Sequence, residues 1–126
     1  MKKSHLRLQG VFLLLNLIAA IRYMDLGRWK AYVGLYGFVA LALSAVAIFL
    51  FLRSIWKREF SVLLQYCCLT FCVMQFFPLP EAFIYAGFLP IHGLLRFHAL
   101  YHIFTLIVGI VYFLLIKDKW RKIFLL

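Results

Sequence analysis

The chain has 126 residues, 67% of them hydrophobic and only 14% charged, with a mean hydropathy of +0.99 and a formal net charge of +10. That length allows one domain (1–126), and so few charges cannot coat a water-soluble globule. The basic excess does not point to nucleic acid, because the charges bracket apolar runs; Lys and Arg beside anionic headgroups account for it instead.

Charge-free stretches set the expected elements. A helix rises 1.5 Å per residue, so about 20 apolar residues cross a hydrocarbon core of roughly 30 Å. Spans are therefore predicted over 8–24, 31–52, 60–80 and 97–116, as an all-α polytopic membrane protein folded into a four-transmembrane-helix bundle. The first run is the shortest and contains Gln9 and Asn16, but Arg7 and Arg22 can snorkel outward at its ends. Lys2 and Lys3 before an apolar stretch that ends in Ala19 and Ala20 imitate a signal peptide. Leu17 or Ile18 falls where cleavage needs a small residue, so the run is read as a retained span.

Cation counting sets the orientation. Lys2, Lys3, Arg7, Arg53, Lys57, Arg58, Lys117, Lys119, Arg121 and Lys122 lie on one side, against Arg22, Arg28, Lys30 and Arg96 on the other. Both termini are accordingly expected in the cytoplasm. Between Glu81 and Arg96, the segment 82–95 is too short to span comfortably and is broken by Gly87, Pro90 and Gly93. It is expected to be an outer re-entrant or interfacial element. Cys67, Cys68 and Cys72 share one apolar run without disulfide-framework spacing and are expected as free, buried thiols.

The polar residues fall on helical stripes. Ser61, Gln65, Cys68, Cys72 and Gln75 recur at steps of four and three, as do His98, His102, Thr105, Gly109 and Tyr112. Gly34, Gly37, Ala40, Ser44 and Ala47 form a small-residue stripe, and Gln9, Asn16, Ala20 and Tyr23 mark the first span. Such stripes turn away from lipid toward other helices. Cys67 is expected to face away from the Cys68 and Cys72 stripe. A histidine inside a span is a functional hypothesis by default, which singles out His98 and His102.

Two histidines one turn apart can present paired imidazoles to zinc, leaving a position for water whose pKa falls to about 7. His92 or Cys72 would be the third ligand and Glu81 the candidate catalytic base. Gln75 is placed at the same outer depth. The stretch 96–105, with its H-x-x-x-H pair followed by Ile-Phe-Thr, resembles the last transmembrane helix of alkaline-ceramidase-like membrane hydrolases, the CREST superfamily. The resemblance covers about ten residues and implies His98 and His102 as zinc ligands. That family has seven spans with a further His, a Ser and an Asp, whereas this chain has room for four and carries no Asp within them.

Three functions are carried forward. The first and leading one is a non-catalytic subunit or accessory protein packing through its polar stripes, with membrane lipids, other membrane subunits or a homo-oligomer as partners. The second is a zinc-dependent lipid amidase or esterase built on His98 and His102. The third is an immunity-type protein against a pore-forming toxin.

Overall fold

The computed structural model describes residues 3–26, 31–76 and 93–124. All of its regular elements are helical: α1 (Lys3–Leu26), α2 (Ala31–Lys57), α3 (Val62–Phe76), α4 (Gly93–Leu115), a 3-10 turn (Lys117–Lys119) and α5 (Trp120–Phe124). Residues 77–92, which hold Glu81, His92 and most of the broken apolar segment, lie outside the described residues. The final part of that segment, from Gly93, is already the first turn of α4.

Two helices are long and apolar enough to cross a membrane, Lys3–Met24 and Gly34–Lys57. A third candidate is reached by joining Leu100–Leu115 to Lys117–Phe124, two pieces bent by 62°. The described part of α3 is a shorter apolar helix of 15 residues, roughly 22 Å long. The first element runs well beyond the expected 8–24 at its N-terminal end, because nothing between Lys3 and Leu8 breaks a helix.

Local chemistry sets the turns. Helix α2 closes with Arg58 in the left-handed region (φ 54°), while the Glu59 amide reaches back to the Ser54 carbonyl at 3.3 Å. The amide bond satisfies one of the last helix carbonyls, as in a Schellman ending, and the Ser54 hydroxyl donates to the Glu59 carbonyl at 2.5 Å to hold the turn. Ser61 then caps α3, its hydroxyl accepting the Leu64 amide at 3.2 Å.

The long helices form a ring in chain order, α1 against α2, α2 against α3, α3 against α4, and α4 back against α1. The short connection over 58–61 makes α2 and α3 antiparallel, and only four residues separate the end of α1 from the start of α2. The α1–α2 seam is the most extensive. There Gly37 is buried, and a Cβ at that position would stand 2.6 Å from the Met24 nitrogen and 2.8 Å from the Tyr23 carbonyl carbon. Phe12, Leu13, Leu64, Phe71, Tyr112 and Ile116 fill the centre of the ring, each at most 2% exposed. Phe12 and Phe71 meet edge to face across it, 6.4 Å between ring centres.

Polarity is distributed the other way round from a water-soluble bundle. Gln9, Asn16, Gln65, Gln75, His102 and Thr105 are at most 3% exposed, whereas Leu35, Phe38, Phe49, Leu63, Val73 and Leu114 are between 57% and 68% exposed. Among the described residues the stripes read from the spacing fall on buried faces, with Gly34 and Ser61 half-buried at their ends. The exception is Cys67, expected to point away yet only 7% exposed. Its neighbours on two sides bury a wider face of α3, from Leu64 through Cys68 to Gln75, than one step pattern marks.

Candidate functional site

The polar residues meet as a directed chain across the ring. Asn16 donates its amide to the Phe12 carbonyl one turn earlier, at 2.8 Å, leaving its Oδ1 as an acceptor. Gln75 of α3 donates Nε2 to that oxygen at 2.8 Å, so its own Oε1 must accept. His102 of α4 fills that role with Nδ1 at 2.5 Å. With Nδ1 carrying the proton, Nε2 faces the Tyr23 hydroxyl of α1, which donates to it when the ring is neutral. Each link sets the polarity of the next, and the imidazole tautomer follows from an amide two residues away in the chain of bonds.

The helical repeat explains why these groups converge. Asn16 and Tyr23 stand seven residues apart, two turns on one face of α1, about 10 Å along the axis. Gln75 and His102 reach into that interval from α3 and α4. Helices α1 and α3 stand diagonally across the ring, so it is long side chains, Gln75 to Asn16 and Gln9 to Cys68 (3.8 Å), that connect them. The Tyr23 ring packs on His102 (5.0 Å between centres) and on Tyr36 (4.9 Å, 72°).

Tyrosines add a second tier that the stripe reading did not assign. Tyr36 donates to the Met74 carbonyl and Tyr101 to the Leu15 carbonyl, both at 2.6 Å. These bonds tie α2 to α3 and α4 to α1. The available signal was a tyrosine well inside an apolar run, where its hydroxyl requires a partner.

Toward the other end, Tyr112 donates to Gln65 Oε1 at 2.6 Å. Here the bonding is incomplete: Gln9 Oε1, Gln65 Nε2 and the Ser44 hydroxyl are buried without a partner among the described residues. Because the Ser44 hydroxyl has no partner among the described residues, Ser44→Ala should leave stability unchanged or raise it by up to about 1 kcal/mol in detergent unfolding. A loss above about 1 kcal/mol would mean that the hydroxyl is bonded.

The candidate zinc residues separate as follows. His102 has both ring nitrogens in hydrogen bonds, with Gln75 and Tyr23. His98 lies on α4 one turn earlier, and its side chain is outside the described residues, as are Glu81 and His92. Cys72 is not brought to His102: its sulfur faces Gly109, about 10 Å further along α4, where an added Cβ would come within 2.7 Å of Sγ and of Phe12. Among the described residues no three His, Cys, Asp or Glu side chains gather as a metal site would require. Gly109→Ala should therefore cost about 1–3 kcal/mol by overpacking, and Cys72→Ala should recover part of that loss in the double variant. Purely additive costs would place the two sites out of contact.

Comparison with known proteins assigns no family: no family model matches the chain, and no match is found among curated proteins or solved structures.

Proposed function

We propose that the chain is a four-span membrane protein with both termini in the cytoplasm, acting as a non-catalytic subunit or accessory protein among other membrane components. The observation that carries this reading is the Asn16–Gln75–His102–Tyr23 chain, in which polar groups from three helices are hydrogen-bonded to one another. A group committed to holding helices together in a bilayer is not poised to bind a metal or activate water. The exposed faces, rich in Leu35, Phe38 and Phe49 on α2, suit lipid tails or a partner span.

The zinc hydrolase reading requires His102 to give up Tyr23 or Gln75 before a metal could take a ring nitrogen. Metal content of protein purified in mild detergent separates the two. The accessory reading expects no stoichiometric zinc and no cleavage of lipid amides or esters. Stoichiometric zinc lost in both His98→Ala and His102→Ala would overturn it. For the topology, a tag placed after Leu126 is expected to be shielded in intact cells, and its labelling from outside would reverse the orientation.

A further inference from the structure

At the end of the ring where α4 gives way to the 3-10 turn, the 62° bend carries α5 away from the α4 axis and leaves a concave space. The recess measures about 240 Å³ and is walled by apolar side chains, among them Leu69, Cys72, Ile110, Phe113, Trp120 and Phe124. It runs at least one turn deep, from the level of Leu114 to that of Ile110, roughly 6 Å along α4. Its far wall is fastened down: the Tyr66 hydroxyl donates to the Ile123 carbonyl, and Trp120 Nε1 donates to the Phe113 carbonyl at 3.2 Å.

The segment that forms the bend is basic. Lys117, Lys119, Arg121 and Lys122 lie on the 3-10 turn and α5, next in sequence to the lining residues Trp120 and Ile123, with Asp118 the one acidic residue of 117–124, and all of these but Lys119 are exposed. Lys119 lies over the Phe60 ring, 5.7 Å from its centre. A short bent helix with an apolar underside, an interfacial tryptophan and a basic rim has the chemistry of a segment lying in a headgroup layer.

We propose that this recess binds one acyl chain of an anionic phospholipid, whose phosphate is held by the Lys117, Lys119, Arg121 and Lys122 rim. The inference rests on the membrane placement proposed above. Charge complementarity selects the occupant. A second copy docking by a two-fold axis would set one basic rim against another, whereas an anionic headgroup neutralises it.

The test uses the full chain with Trp120 as its sole tryptophan (Trp29→Phe, Trp56→Phe), in phosphatidylcholine vesicles containing lipids brominated along the acyl chain. Brominated phosphatidylglycerol is expected to quench Trp120 half-maximally at a mole fraction at least about five-fold below that for brominated phosphatidylcholine. That ratio is the gain expected from even one basic residue against an anionic surface. The ratio should fall toward one when Lys117, Lys119, Arg121 and Lys122 are all replaced by Gln. Ile110→Phe, which narrows the recess, should lower the quenching plateau.

Equal half-saturation by the two lipids in the otherwise unaltered chain would overturn the site while leaving the membrane placement standing. A second reporter, Phe38→Trp in a background without other tryptophans, sits on the exposed face of α2. If that reporter is quenched while Trp120 is shielded from both lipids, a protein segment or a second copy covers the recess and the proposal falls. If neither is quenched, the membrane placement fails.

Discussion

Gly37→Leu is expected to unfold or strongly loosen the bundle, costing about 3 kcal/mol or more in detergent or steric-trap unfolding. An overpacked site normally loses about 1–3 kcal/mol because neighbouring side chains can give. At Gly37 the atoms in the way are the Met24 nitrogen at 2.6 Å and the Tyr23 carbonyl carbon and Cβ at 2.8 Å. Backbone cannot rotate aside, so α1 and α2 must part along their most extensive seam. Even Gly37→Ala should lose stability, since the contact outweighs the roughly 1 kcal/mol that alanine gains in a helix. Gly10 provides the contrast: a Cβ there meets only the end of the Phe51 ring, at 3.3 Å. Gly10→Ala should be neutral or stabilising. Equal effects at Gly10 and Gly37 would remove the argument for close approach. Because Tyr23 is displaced with α1, Gly37→Ala should also shift the imidazole nitrogen resonances of His102.

Gln75→Leu should cost about 2–3 kcal/mol despite keeping the side-chain volume nearly constant. One membrane hydrogen bond averages only about 0.6 kcal/mol. Gln75, however, serves two buried partners, and its loss removes the bond to the His102 Nδ1 and the bond to Asn16 Oδ1 at one stroke. Tyr23→Phe, which removes the hydroxyl bonded to His102, should cost less, about 1 kcal/mol. The pair Gln75→Leu and His102→Leu should cost clearly less together than the sum of the two, because each removes the group the other leaves stranded. A loss under about 0.5 kcal/mol for Gln75→Leu would mean that the chain of bonds contributes nothing to holding the ring.

The helical content and the buried faces were legible because they depend on spacing along one chain. Gln65, Cys68, Cys72 and Gln75 lie on one side of α3 whatever surrounds it, and all four are buried. The partnership of Gln75 with both Asn16 and His102 was not legible, since it needs the relative height of three helices. Depth read from residue counts placed Cys72 beside His102, and the packing sets it opposite Gly109 instead. The bend after Leu115 was also hidden: Lys117, Asp118 and Lys119 read as a charged flank, but they form the 3-10 turn that directs α5 back onto α3.

Sequence alone determined that this protein is helical, that its charges gather outside apolar runs, and which face of each helix carries the polar groups. Those properties follow from composition and from a repeat of 3.6 residues, which act within single segments. Tertiary structure decided which polar group meets which, and with that the state of His102. An imidazole isolated on a helix offers a lone pair to a metal; the same imidazole between Gln75 and Tyr23 has both nitrogens engaged. Hydrogen bonds reach only about 3 Å, so the partners of a buried imidazole depend on packing between helices and not on spacing along one of them.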